Sequence, residues 1–281
     1  MAEPTFDRAR FAARLRTRFL GRHLVARAEV ESTNDAAWEA LAAGTPDGTV
    51  IVADAQTRGR GRAGRRWHRA PGRGLALSAL LTLDGERRPA GVLPLAAGLA
   101  LARALDELGA APELKWPNDL LLGGRKLAGI LCETRGAAAR ANGAGAGEAV
   151  VIGVGVNVLE RAEDFPPALR ASATSLALAG HALDRESVAA AFLNALEPLW
   201  GELEDGAPAP VLAAWRARAG IWGRHVRVRA PGGVLEGVAR ALDPDGGLVV
   251  ALADGREVTA IAGDLELDPP APGVPAAGET A

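Results

Sequence analysis

An α+β fold followed by a small all-β unit is what this sequence predicts, and three observations predict it. Segments with helical apolar spacing alternate with short apolar runs of strand length up to about residue 220. From Ile221 the texture changes to short alternating segments separated by Gly, Pro and Asp turns. The length, 281 residues, corresponds to about two domains at roughly 150 residues each.

Taken in order, residues 5–20 carry Phe6, Phe11, Leu15 and Phe19 at helical spacing and predict an Arg-rich amphipathic helix. A strand is expected over His23 to Val30. Ser32-Thr33-Asn34-Asp35 then opens a helix to Ala43, its hydroxyls placed to cap it, and Gly44 stops it. Thr49 to Ala55 is an apolar strand. Arg58 to Arg73 carries seven arginines, one histidine and no acid, interleaved with glycine, and reads as a long basic loop. Leu75 to Leu83 is a strand and Ala90 to Leu108 a mostly apolar, buried helix.

Glu113 to Trp116 and Leu120 to Leu122 are short extended pieces; Gly123-Gly124 is a hairpin turn returning along Lys126 to Thr134. Gly136 to Gly147 reads as an Ala/Gly connection with little to build a core, and no function is assigned to it. Ala149 to Val158 is a strand, and Asp184 to Glu204 and Pro210 to Ala219 are helices. Trp222 to Val228, Val234 to Ala241, Leu248 to Leu252 and Glu257 to Ile261 are the strands of a small barrel. The Pro/Ala-rich tail from Pro269 is expected to be disordered. The domain reading is therefore 1–220, 221–268 and a tail 269–281.

Composition narrows the function. Apolar residues make up 48% and charged residues 23%, which is globular rather than disordered. A net charge of −2 excludes a polybasic coat but not a local basic patch. One cysteine, Cys132, excludes an intramolecular disulfide, and one cysteine with four histidines leaves no Cys/His zinc cluster. No signal-peptide segment and no apolar run of roughly 18 residues is present, so a cytoplasmic protein without a membrane span is expected. Against 32 basic residues only two are lysines, Lys115 and Lys126, and Gln56 is the single glutamine.

Five constellations carry chemistry. Gly59, Gly61 and Gly64 spell G-x-G-x-x-G, with Asp84 twenty residues on, but Pro71, Gly72 and Gly74 leave no helix for a dinucleotide fold. The loop reads instead as an anion-wrapping lid, because glycines permit close backbone approach and arginines supply forked donors. A solvated nucleic-acid-binding RG segment is the alternative. Lys115-Trp116-Pro117-Asn118-Asp119 is either an ordinary turn or a presentation of Asn118 and Asp119 to a ligand. Lys126, at the start of an apolar strand, is either solvated or aimed at a phosphate. The alternating glycines of Gly153-Val154-Gly155-Val156-Asn157 bare one strand face for something packed flat against it, a helix or a ligand. Ser32-Thr33-Asn34 serves capping, ligand contact or both.

Together and in this order, the segments ESTN (31–34), QTRGRGRAGRRW (56–67), KWPNDLLLGGRKLAGIL (115–131) and VIGVGVN (151–157) resemble the biotin protein ligases, over about residues 23–268. The resemblance implies a mixed-sheet catalytic domain of the biotin/lipoate ligase type with helices on one side, followed by an SH3-like barrel. It implies two steps: biotin's carboxylate attacks the α-phosphate of Mg2+-ATP, giving biotinyl-5′-adenylate, and a lysine of a biotin carboxyl carrier domain then takes the biotinyl group. Carried over by position, Ser32, Thr33, Asn34 and Gln56 line the biotin pocket, with Gly129, Ile130 and Gly155 as its floor. Arg60, Gly61 and Arg62 clamp carboxylate and phosphate, and Lys126 touches both. Arg62, Arg65, Trp67, Asn118, Asp119, Lys126 and Asn157 fall to the ATP side, with Asp119 a candidate base for the incoming lysine and Lys115 either structural or an aid to transfer.

This sequence departs from the family pattern in two informative places. Ala63 stands where some members have a further arginine, and only 31 residues precede Ser32, too few for the winged helix-turn-helix of repressor members. No sequence-specific DNA binding is therefore expected, and monomer and homodimer remain open. The rival readings are a lipoate or octanoate ligase of the same superfamily and a nucleic-acid-binding protein using the Arg/Gly loop.

Overall fold

The computed structural model describes residues 3–68, 70–83, 90–139, 146–230 and 232–267. Seven strands form one mixed sheet: β1 (Leu24–Val30), β2 (Val50–Gln56), β3 (Leu75–Leu83), β4 (Glu113–Lys115), β5 (Asp119–Leu122), β6 (Arg125–Ala139) and β7 (Ala146–Val156), in the order β1-β2-β3-β7-β6-β5-β4. Only β1 and β2 run parallel, joined through helix α2 (Thr33–Ala42); every other pairing is antiparallel. β3, LALSALLTL, is buried along its whole length, as an apolar run in the middle of a two-faced sheet must be.

Helix α3 (Val92–Glu107) is apolar on nearly every side, so it is buried against both the sheet and α4 (Arg185–Glu204). Helix α5 (Pro208–Arg218) packs beside them. The expected one-sided helix layer thus holds for these three. Helix α2 lies on the opposite face, where Ala37 and Trp38 pack on Ile51, Leu80, Ala149 and Val151. That face continues along β7 past the start of α2, and there the cleft opens.

The C-terminal unit is a five-stranded antiparallel sheet of β8 (His225–Ala230), β9 (Gly233–Leu242), β10 (Leu248–Ala251), β11 (Glu257–Ala260) and β12 (Asp264–Leu267), in the order β11-β10-β9-β8-β12. The four expected strands are present, and β12, which the sequence reading did not foresee, is the fifth. The unit touches the larger sheet where Trp116, 1% exposed, donates its indole N–H to Gly246 O at 3.1 Å.

Three local expectations are corrected. The helix expected over residues 5–20 is only α1 (Arg8–Arg14). Beyond Leu15 the backbone N–H groups of Arg18, Phe19 and Leu20 all donate to the Glu197 carboxylate, so a tertiary anchor replaces the next helical turn. Ser32 sits at the N-cap of α2 but its side chain makes no capping bond; the neighbouring Thr33 hydroxyl is used elsewhere. The Ala/Gly stretch from Gly136 is not only a connection, since β6 runs to Ala139 and β7 starts at Ala146. The Trp116–Pro117 peptide is cis. Asp84 and the tail from Pro269 lie outside the described residues.

Candidate functional site

Three segments meet over one face of β6 and β7: the start of α2, the Arg/Gly loop, and the chain from Phe165 to Ala173. They enclose a cavity of about 280 Å3. Its floor follows from the sheet register. Gly129 pairs with Gly155, and two residues further along the strands Leu131 pairs with Gly153. These two levels are about 7 Å apart at the usual strand rise.

At the Leu131–Gly153 level the lining is a closed polar network. Ser78 Oγ lies 2.8 Å from Thr33 Oγ1 and 2.7 Å from Asn34 Oδ1, and it has one proton to give to one of them. Gln56 Oε1 accepts from the Thr33 backbone N–H at 2.8 Å and from the Thr33 hydroxyl at 3.1 Å. Asn34 Nδ2 donates to Leu131 O at 3.2 Å. Ser32, Thr33, Asn34 and Ser78 are all buried. The oxygen of Gln56 is thereby engaged by Thr33, which orients the amide and points its N–H donors the other way. Ser78 is a residue that sequence reasoning missed; the signal was a serine in the centre of an otherwise apolar strand.

At the Gly129–Gly155 level lies Trp67. A Cβ on Gly155 would sit 2.5 Å from Trp67 Cε2, and one on Gly129 would sit 3.1 Å from Trp67 Cζ3. The bare strand face expected from the alternating glycines is therefore covered by an indole from the Arg/Gly loop, not by a helix. Between its ends the loop folds on itself: Gly61 N donates to Arg65 O, Trp67 N donates to Gly59 O, and Ala63 takes φ 53° at its tip. Among its described residues a three-residue 3-10 turn, Arg62–Gly64, is all the helix it contains, too little for the helix a dinucleotide fold needs.

The cations surround this level. Lys126 Nζ is 2.7 Å from Asp119 Oδ1 and 5.8 Å from the centre of the Trp67 ring. Arg62 Nη1 donates to Asn118 Oδ1 at 3.1 Å, while Asn118 Nδ2 donates to Ile130 O. Burial lowers the Arg62 guanidinium's pKa, the nearby Asp264 opposing it. Arg65 forms a two-pronged pair with Asp264 of the C-terminal sheet, at 2.9 and 2.8 Å. Arg60 is held by Asp35 and Glu133, and its pKa is raised, chiefly by the bond to Asp35.

Every expected site residue except Asp119 and Lys115 lines the cavity, and Lys115 ends β4, paired in register with Asp119. Asp119 stands behind Lys126 as its ion-pair partner. Asn157 N donates to Leu127 O and its Nδ2 to Thr174 O, leaving Oδ1 buried with no partner among the described residues; Trp67 Nε1 is likewise unpartnered. Sequence reading also missed the wall from Phe165 to Ala173. It is docked through the backbone, Lys126 N donating to Ser172 O and Thr174 N to Lys126 O, and carries no motif to betray it. Among the described residues no three His, Cys, Asp or Glu side chains converge as a metal cage, and no helix is long and apolar enough to cross a membrane.

Residues 26–157 match the Biotin/lipoate A/B protein ligase family, and residues 221–268 match the Biotin protein ligase C terminal domain. The biotin--[acetyl-CoA-carboxylase] ligase of Mycobacterium tuberculosis is 38% identical over 246 residues, covering 85% of this chain and 86% of that protein. The chain belongs to the biotin protein ligase family. The bifunctional ligase/repressor BirA of Bacillus subtilis is 34% identical over 243 residues, covering 86% of this chain and 73% of that protein. Among solved structures, the biotin protein ligase of Aquifex aeolicus in complex with biotin and ATP superposes with a TM-score of 0.73 at 26% identity, over 88% of this chain and 99% of that one. The C-terminal match favours the biotin ligases within the wider family, and neither the lipoate/octanoate nor the nucleic-acid alternative gains support.

Proposed function

We propose that this chain activates biotin with ATP to biotinyl-5′-adenylate and pyrophosphate, and then transfers the biotinyl group to a lysine of a carrier domain. The observation that carries the reading is one cleft in which a closed polar network about 7 Å along the strands adjoins a cationic, glycine-floored, indole-covered level. A small uncharged ring with hydrogen-bonding edges suits the first level. A carboxylate meeting a phosphate suits the second.

In the first step a carboxylate oxygen attacks the α-phosphorus and pyrophosphate leaves with the electron pair of the broken P–O bond. Two anions must approach, so the gain comes from fixed positive charge and from orientation. Lys126 and Arg62 supply that charge. Asp119 holds the Lys126 ammonium in place and is assigned that task rather than proton abstraction. Trp67 covers the nucleotide level, with its Nε1 turned onto the Gly155 floor. In the second step the amine of the carrier lysine attacks the acyl carbon and AMP leaves. Excluding water from the mixed anhydride is the task of the loop. Mg2+ enters as the counter-ion of ATP, held mainly by the phosphates and water. The acids nearest the cations are committed, Asp119 to Lys126, Asp35 and Glu133 to Arg60, and Asp264 to Arg65.

Biotin-dependent ATP–pyrophosphate exchange tests the reading, with lipoate and octanoate as alternative acids. Exchange with biotin alone is the expected result. Exchange with lipoate instead would keep the chemistry and overturn the substrate, and exchange with none would overturn both.

A further inference from the structure

The turn between β9 and β10, Asp243 to Gly247, is wedged between two parts of the larger domain. On one side lies the start of α3. A Cβ on Gly91, the residue before that helix, would run into the carbonyl oxygen of Asp245, and one on Gly246 would lie 2.8 Å from the carbonyl oxygen of Gly91. The two backbones therefore touch directly, with no flexible side chain between them to yield. On the other side lies Trp116, whose indole N–H donates to Gly246 O at 3.1 Å. Trp116 is 1% exposed, so without that carbonyl its N–H would be a buried orphan. The turn is closed from within, because Asp243 Oδ1 accepts from the backbone N–H groups of Asp245 at 2.9 Å and Gly247 at 2.7 Å.

From Trp116 the bonds run on to the cleft. Asn118 brackets Ile130: its carbonyl accepts from Ile130 N at 2.9 Å and its Nδ2 donates to Ile130 O at 2.8 Å. Asp119 pairs in register with the floor residue Gly129 and holds the Lys126 ammonium at 2.7 Å. The polar network of Thr33, Asn34, Gln56 and Ser78 hangs instead from α2, β2 and β3, and none of its bonds goes to residues 116–119. We propose that Trp116 is a positioning residue. Through its indole the β9–β10 turn sets where Asn118 and Asp119 lie, and through Asp119 it sets where the Lys126 charge is delivered. The kinetic consequence rests on the biotin-activating reading; the placement of residues 116–119 does not.

The test uses the whole chain and approaches the contact from both sides. Trp116→Phe removes the donor and keeps an aromatic ring. Gly91→Ala keeps Trp116 and pushes on the turn; φ at Gly91 is −73°, which suits alanine, so the effect comes from the contact. At saturating ATP each variant is expected to lower kcat for biotin-dependent pyrophosphate exchange about tenfold, as a shift of less than 1 Å in a positioned group allows, while the KM for biotin stays within about twofold. The double variant should fall little further than either single one, because both act through one contact. Deuterium uptake in the peptide carrying Ile130 should quicken about tenfold, with the peptide covering Thr33–Ala42 unchanged. A parental kcat in either folded variant would overturn the proposal. So would a rise in the KM for biotin as large as the fall in kcat, which would mark general damage to the fold. Absence of exchange in the parent would refute the proposed function and leave deuterium uptake at Ile130 to decide the positioning by itself.

Discussion

Replacing Gly155 by alanine adds one methyl group at a crowded point of the cleft floor, directly under the Trp67 indole. Its Cβ would lie 2.5 Å from Trp67 Cε2, 2.7 Å from Nε1 and 2.9 Å from Cζ2. Carbon atoms settle at about 3.5–4 Å, so the two groups must separate by about 1 Å. The strand cannot retreat, because Gly155 is paired with Ala76 on one side and Gly129 on the other. The indole must lift, and the loop with it. Overpacking of this kind costs about 1–3 kcal/mol. A displacement of about 1 Å in a positioning group costs about a hundredfold in rate, or roughly 2.7 kcal/mol of barrier. The expected outcome is a folded protein whose kcat/KM for biotin-dependent pyrophosphate exchange falls by about two orders of magnitude. Gly201→Ala in α4 is the control, since nothing lies within 4 Å of that Cβ and its exchange should be unchanged. Adding Trp67→Ala to Gly155→Ala should return stability without returning activity. Wild-type exchange in a folded Gly155→Ala protein would refute the reasoning, for it would show that the indole need not rest on the glycine floor.

Lys126→Gln should lower exchange by about 10²–10³-fold, the usual effect of losing one fixed charge or donor at a reacting centre, with a small change in melting temperature because the side chain is partly solvated; a threefold loss would refute its role. Ser78→Ala leaves a buried acceptor or hydroxyl of the Thr33–Asn34 network short of its donor and should cost about 1–3 kcal/mol by denaturant melts, with a raised KM for biotin. Burial pushes the Glu197 carboxylate's pKa up, but the three backbone N–H groups outweigh it and the net direction is down. Its stabilisation is therefore full above the unfolded value of about 4.3 and is lost as pH falls through the folded value; melts of parent and Glu197→Gln should differ at pH 7 and converge in acid. Burial pushes the Cys132 thiol up to about 12. It should stay protonated at pH 8 and, being only partly buried, be labelled slowly by a thiol reagent, and labelling as fast as that of a free cysteine would contradict that placement.

What the sequence determined by itself is the set of local elements and the chemistry offered. Apolar runs bounded by turn residues marked β3 and β7 to within a few residues, and the apolar helix α3 was evident from its composition. The interleaved arginines and glycines, the rare Lys126 and the alternating glycines before Asn157 were open to a ligand site and equally to a solvated basic segment, a surface lysine and close strand packing, and only their order along the chain carried the family resemblance. These signals are legible because periodicity and turn chemistry are properties of neighbouring residues.

Choice of partner was decided only by the tertiary structure. Gly129 and Gly155 form one floor because β6 pairs with β7, a register that neither strand states alone. The helix foreseen to residue 20 stops at Arg14 because a carboxylate 177 positions from Leu20 captures its backbone. Arg60 and Arg62 look equivalent in the chain, yet one is gripped by Asp35 and Glu133 and the other faces Asn118 across the cleft. The reason is that a side chain's role depends on which charges and surfaces reach it through space, and those come from segments that pack together only when the whole chain has folded.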